Sequence, residues 1–231
     1  MIRSIYNRSS SLLGRRYLST KLEVPLAAEY YVDRKYYDAE RKELLGPSWQ
    51  LLTHESVLAQ GSDTAGATYF ADTVSDWPCI LVRNTKTKRI SGFHNICRHR
   101  AGPLEFNGTQ GACKVNGLTC KYHGWNYTLD GALRGTPRFG DISSVKKSDF
   151  NLWPLRVANW RGLLFVQTLP PEPSHENMNT DEKYYDGPLA DAAFIADNPE
   201  LVERLADVPL EDMQTYTRSE THSIKCNWKV L

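Results

Sequence analysis

The chain has 231 residues, 41% hydrophobic, 24% charged and 11% aromatic, a composition that builds one or two packed cores rather than a disordered chain. Its formal net charge is +1, with no Lys/Arg-rich block beyond the N-terminus, so the electrostatic footprint of a nucleic-acid binder is missing. The longest unbroken apolar run, Ala192 to Ala196, is five residues, far short of the ~18 that a membrane-spanning helix needs.

In chain order, the first 22 residues stand apart. Arg3, Arg8, Arg15, Arg16 and Lys21 precede the first acid, Glu23, so the rest of the chain is net acidic. On a helical wheel Ile2, Ile5, Tyr6, Leu12 and Leu13 lie opposite Arg3, Arg8 and Arg15, the pattern of a cleavable organellar presequence. A basic exposed tail is the alternative. The short basic segment favours a mitochondrial matrix destination, with plastid stroma or cytoplasm as alternatives. No apolar stretch of secretory-signal length is present, so extracellular disulfides are not expected.

Residues 23–48 read as a helical arm, with one helix from Asp33 to Leu45 stopped by Gly46-Pro47. From Trp49 the texture changes to short β-prone runs between turn residues: Trp49–Thr53, Thr68–Asp72, Cys79–Arg83, Arg89–His94, Gly124–Thr128 and Leu163–Thr168. The fold class is therefore mostly β and antiparallel over 49–168, with Asp130-Gly131 and Arg161-Gly162 as hairpin turns in which glycine supplies the positive φ. Residues 169–231 open with a polar, Pro-containing connection around a short Ala-rich helix near Leu189–Ala196. Thr215–Lys225 is strand-like, and Asn227 is placed to cap a helix starting at Trp228.

The chemistry lies in two short matched segments, Cys97-Arg98-His99 and Cys120-Lys121-Tyr122-His123. Each loop offers one thiolate and one imidazole. A [2Fe–2S] cluster with two thiolates on one iron and two histidines on the other requires that arrangement. Three other readings compete. A Cys2His2 zinc site pairs like with like, whereas both loops here are mixed; a nucleophilic Cys–His pair leaves the second loop unexplained; and the match can be coincidence. Cys79 sits in an apolar run and reads as a buried thiol; Cys113 and Cys226 have no partner pattern. His54 and His94 read as strand residues.

The run Asn95-Ile96-Cys97-Arg98-His99-Arg100-Ala101-Gly102-Pro103-Leu104, with Cys120-Lys121-Tyr122-His123-Gly124-Trp125-Asn126-Tyr127 and Leu129-Asp130-Gly131, resembles the Rieske domain of ring-hydroxylating oxygenase large subunits, and within that family the choline monooxygenase branch. Trp49 to His54, Val82-Arg83, Thr136-Pro137-Arg138-Phe139 and Cys226-Asn227-Trp228-Lys229 extend the match to about residues 23–231. The loop between His99 and Cys120 is a few residues longer than in many members.

The resemblance implies a [2Fe–2S] cluster on Cys97, His99, Cys120 and His123, surrounded by Arg100, Gly102, Tyr122, Gly124 and Trp125. In high-potential Rieske proteins, cysteines bonded across the loops stand where this chain has Gly102 and Tyr122, so a potential near the low end of about −150 to +300 mV is expected. The same resemblance implies a reductase or ferredoxin as electron donor, a homotrimer, and oxidation of choline toward betaine at a mononuclear iron held by two His and a carboxylate. Beyond His123 only His175 and His222 remain, without a motif around either. That iron site is thus expected outside these residues, which would make 169–231 the incomplete start of an α+β oxygenase domain and leave the catalytic residues unassigned. The alternative is a stand-alone ferredoxin-like electron carrier.

Overall fold

The computed structural model describes residues 26–59, 66–113, 117–137, 146–169, 185–214 and 224–230. The basic segment 1–22, His175, His222 and residues 215–223 of the strand-like run lie outside the described residues.

The arm differs from the single helix expected. A short helix α1 (Glu29–Val32) precedes α2 (Arg34–Glu40), and Asp33 separates them because its carboxylate accepts the Lys35 N–H (3.0 Å) and caps the second. The last turn, Arg41–Leu45, widens to a π-turn, closed by the Gly46 N–H on the Arg41 carbonyl (2.8 Å). Gly46 is right-handed here, and what it supplies is space: a Cβ would press into Leu169 and the Arg41 carbonyl.

The body is the mostly β fold expected, with a short helix α3 (Ser56–Ala59) following its first strand. Among the described residues, β1 (Gln50–His54), β2 (Ala67–Val74), β3 (Trp77–Asn84), β4 (Ile90–His94), β5 (Thr109–Ala112), β9 (Pro154–Trp160) and β10 (Leu163–Gln167) form a seven-stranded antiparallel sheet in the order β1-β10-β9-β4-β3-β2-β5. A small sheet of β6 (Leu118–Thr119), β7 (Asn126–Tyr127) and β8 (Leu133–Gly135) covers part of it. The six strands expected between Trp49 and Thr168 form, with ends moved by at most two residues.

Strands β5, β6, β8 and β9 are not legible in the sequence. Thr109–Ala112 carries no large apolar side chain, and β9 opens with Pro154 and includes Arg156 and Asn159. Arg156 is nonetheless buried, its guanidinium over the Trp49 ring (5.3 Å) and hydrogen-bonded to Gln167 (3.4 Å).

Alternation along β3 shows why its apolar run is continuous. Ile80 and Val82 face one core with Phe93, Leu104, Leu118, Trp125 and Tyr127, while Cys79 and Leu81 face another with Leu155, Val157, Leu164 and Val166. Cys79 is the buried thiol expected, and burial pushes it up to about 12. On the opposite face of β9 and β10, α4 (Pro188–Asp197) inserts Phe194 against Phe165 (4.2 Å, stacked) and Trp160, so the Ala-rich helix is a packed element. Beyond it are α5 (Pro199–Arg204) and 3-10 turns at Leu210–Asp212 and Trp228–Val230; Asn227 caps the last through the Lys229 N–H (3.0 Å). Among the described residues no helix is long and apolar enough to cross a membrane.

Two hairpins carry the geometry. Arg161 (φ 51°) and Gly162 (φ 88°) make the two-residue connection between β9 and β10, with Trp160 opposite Leu163, a left-handed pair that matches the twist of the strands. Asp130-Gly131 instead lies within a longer connection, Thr128–Ala132, between β7 and β8, closed by Thr128 N–H to the Ala132 carbonyl (2.9 Å). Ser75-Asp76 forms another left-handed pair without any glycine to announce it.

A Cβ on Gly162 would also run into the His54 ring. Gly162→Ala should therefore destabilise by more than the ~1–2 kcal/mol of a left-handed alanine, a fall in Tm of roughly 2–4 °C per kcal/mol for a chain of this size. Gly108→Ala, left-handed (φ 73°) with open space around it, should show the conformational cost alone. Thermal melts of the two variants check the order, and equal shifts would remove His54 from the explanation.

Candidate metal centre

Two loops rise side by side from the sheets. The first leaves β4 at His94 and is tied by Asn95, whose buried side chain accepts the N–H groups of Leu104 (3.0 Å) and Glu105 (3.1 Å) and donates to the Glu105 carbonyl (2.7 Å). Within it the Cys97 N–H donates to the Gly102 carbonyl (2.8 Å) and the Ala101 N–H to the Cys97 carbonyl (3.0 Å). The second loop is closed by Cys120 N–H to the Trp125 carbonyl (2.8 Å) and Gly124 N–H to the Cys120 carbonyl (3.1 Å). A backbone bond joins the loops, Lys121 N–H to the Pro103 carbonyl (3.0 Å), beside the Lys121–Glu105 ion pair (2.8 Å).

The approach depends on Gly102. A Cβ there would stand 3.0 Å from the Tyr122 Cβ and 3.2 Å from the Cys120 sulfur. The positions that carry cross-loop cysteines in high-potential Rieske proteins are thus adjacent here, but Gly102 and Tyr122 cannot bond, and all five cysteines are free thiols.

The four residues singled out by spacing meet as two pairs, thiol beside thiol and imidazole beside imidazole. Cys97 and Cys120 are 2% and 4% exposed, and the rings of His99 and His123 lie 4.8 Å apart at 61°. Burial pushes the Cys97 thiol above its usual range, opposed by hydrogen bonds from Tyr127 and the His99 backbone, with the nearby Cys120 thiol raising it further. His99 is lowered by loss of solvent, then by His123 and Arg100.

Aromatic rings flank both imidazoles: Trp125 stacks on His99 (4.7 Å, 7°) and Tyr122 on His123 (3.6 Å, 30°). Trp125 is buried and Tyr122 is 62% exposed, so the half-buried His99 imidazole rests on a core ring and the half-buried His123 imidazole is covered by a ring in contact with solvent. The Tyr122 N–H approaches the Cys120 sulfur (3.5 Å), while that of Gly124 is spent on the loop's own turn.

One participant is not legible from spacing. The Tyr127 hydroxyl, fully buried, lies 3.1 Å from the Cys97 sulfur while its oxygen accepts the Arg98 N–H (3.2 Å). With that acceptor position filled, the hydroxyl proton is free to point at sulfur. The available sequence signal is that Tyr127 follows the second loop on a short strand facing the cysteines. Arg98 points away, stacked over Trp153 (4.1 Å) and donating to the Asn151 carbonyl (2.7 Å), and Arg100 is exposed at the loop tip.

The donor set fits a two-iron cluster. Among the described residues no three His, Cys, Asp or Glu side chains converge on one point as a single-ion shell, whereas a [2Fe–2S] cluster of mixed ligation takes donors in pairs, two thiolates and two imidazoles. The Nδ1 atom of His123 is buried with no hydrogen-bond partner among the described residues, a costly state that ligation of a metal would relieve. Cys79, Cys113 and Cys226 take no part in the two loops: Cys113 is a buried thiol pushed up to about 12 by burial, and Cys226 is exposed.

Comparison with known proteins agrees with this geometry. The Rieske [2Fe-2S] domain family matches residues 48–147. The chain is similar to chloroplastic choline monooxygenase of Arabidopsis thaliana, 27% identical over 204 residues (88% of this chain, 44% of the relative). It is also similar to the carnitine monooxygenase oxygenase subunit of Acinetobacter pittii, 28% identical over 205 residues (87% and 47%). A solved quaternary ammonium Rieske monooxygenase in complex with gamma-butyrobetaine superposes with a TM-score of 0.64 at 25% identity, over 87% of this chain and 50% of that one. The chain spans about half the length of the curated relatives it matches. The mitochondrial destination expected from the basic segment is corrected by the Arabidopsis relative, which is chloroplastic; Arg-rich, acid-poor composition is common to both kinds of presequence and does not separate them. Over residues 48–147 the chain matches the Rieske [2Fe-2S] domain, and it is similar to Rieske oxygenases named choline and carnitine monooxygenases.

Proposed function

We propose that Cys97 and Cys120 hold one iron and His99 and His123 the other of a [2Fe–2S] cluster, and that the chain is the electron-relay portion of a quaternary-ammonium monooxygenase, with choline the substrate of the complete enzyme. The observation that carries the reading is the pairing of two buried thiols with two neighbouring imidazoles on facing loops, one imidazole nitrogen being buried and unpartnered. When bound, the cluster supplies one-electron storage and transfer at a potential set by ligand type, hydrogen bonds to sulfur and exposure.

The chain's own residues shape that potential. Tyr127 donates toward the Cys97 sulfur, stabilising added negative charge. Trp125 fixes the His99 ring and excludes water from its face, while Tyr122 shields His123 at the surface. Electrons would come from a reductase or ferredoxin and pass to a mononuclear iron on a two-His-one-carboxylate site, for which no residues of this chain are assigned. Choline and carnitine in the relatives' names, and gamma-butyrobetaine in the solved structure, support a quaternary ammonium substrate.

Anaerobically reconstituted protein should hold two iron and two sulfide per chain and, on reduction, give the Rieske-type EPR signal of a mixed His/Cys cluster. Stoichiometric zinc with no signal would overturn the assignment. Tyr127→Phe should keep that signal and lower the potential by some tens of millivolts, since ~1 kcal/mol of differential hydrogen bonding corresponds to about 40 mV for one electron; an unchanged potential in a voltammetric titration would remove the hydroxyl from the tuning.

In the full-length natural polypeptide supplied with a reductase, O₂-dependent consumption of choline is expected. Rapid reduction of the cluster without turnover of choline, carnitine or gamma-butyrobetaine would favour the stand-alone carrier.

A further inference from the structure

The tripeptide Asn227-Trp228-Lys229 lies far in sequence from the two loops, yet each of its side chains is engaged by the N-terminal arm. Asn227 Nδ2 donates to the Tyr31 carbonyl (3.1 Å), Trp228 Nε1 donates to Glu40 Oε2 (2.9 Å), and Lys229 Nζ reaches both Glu40 oxygens (2.8 and 2.9 Å). The ammonium also lies over the rings of Tyr31 (5.4 Å) and Trp228 (5.5 Å), so a carboxylate and two aromatic faces surround one cation.

Apolar burial does not explain this association. Neither α1, α2, the π-turn nor the Trp228–Val230 turn contains a buried residue. The Glu40 and Lys229 side chains, by contrast, are only 11% and 14% exposed, in the range where removing one partner strands the other charge away from water. The other end of the arm is tied to the sheets separately, by Tyr37 to Asp76 (2.7 Å) and by the Leu169 N–H on the Gly46 carbonyl (2.8 Å).

We propose that Glu40 is a positioning residue, an electrostatic latch that docks the Asn227-Trp228-Lys229 segment on the arm, and that Lys229 in return holds α1 in place. The two segments then open and close together while the sheets stay shut. The proposal does not depend on the cluster assignment, since none of these residues touches the two loops.

The test is amide hydrogen exchange on the intact chain, comparing wild type with Glu40→Gln, Lys229→Met and the charge reversal Glu40→Lys/Lys229→Glu. Each single variant should speed exchange at least about tenfold in both 29–36 and 226–230 and leave β9 and β10 unchanged; the reversal should restore protection to both segments. Faster exchange confined to 226–230, with α1 unaffected, would overturn the coupling, as would single variants that change nothing. Tyr31→Leu, which keeps the ion pair and removes one aromatic face, should loosen both segments by a smaller factor; no loosening would take the ring out of the latch.

Discussion

The approach of two loops at Gly102 is the constraint on which the site depends. Cys120 and Tyr122 occupy the volume that any side chain at position 102 would need, and the backbone bond between the loops, Lys121 to Pro103, forms only at that separation. Without the close approach the two thiols would be solvated groups on separate turns. With it they share a buried pocket in the same core as Trp125 and Tyr127, where the low dielectric gives a single hydrogen bond to sulfur an electrostatic weight it would lack in water.

The sheets make this approach reproducible. Both loops are continuous with strands whose inward side chains belong to one core, so Phe93 and Ile80 from the large sheet and Leu118, Tyr127 and Leu133 from the small one fix the loop bases through packing. Asn95 then converts that base into a defined loop by satisfying two backbone donors at once. Support comes also from segments distant in sequence: Arg98 braces the first loop against Asn151 and Trp153, and Phe150 packs against the edge of Trp125 (5.8 Å) behind the His99 imidazole. Asymmetry of cover, a sealed tryptophan on one imidazole and an exposed tyrosine on the other, gives the site an inner and an outer face.

A second kind of organisation holds the periphery. At the β9–β10 hairpin tip, Arg161 donates to the carbonyls of Leu205, Ala206 and Val208 and pairs with Glu211, satisfying carbonyls left over at the end of α5. Arg89 and Ser91 meet on Asp186, tying the residues before α4 to the sheet. Polar clamps of this kind add to the apolar packing of Phe194, Leu205, Val208 and Leu210, and they rest on single side chains whose loss is not shared among many neighbours.

The sequence by itself determined the class of the fold and singled out the four residues proposed as donors and their pairing on two loops, because strand alternation and ligand spacing are local properties read within about ten residues. It also determined that Gly102 and Tyr122 exclude a cross-loop disulfide. Tertiary structure decided the rest. The burial of Arg156 and with it the existence of β9, the hydroxyl of Tyr127 against the Cys97 sulfur, and the meeting of Glu40 with Lys229 all join positions that only folding brings together. A polar residue inside a strand reads as a break until its partner on another strand is known, and a tyrosine reads as packing until its oxygen is placed. The physical reason is the same in each case: local chemistry fixes what a residue can donate or accept, and only the long-range chain path fixes what stands within three ångströms of it.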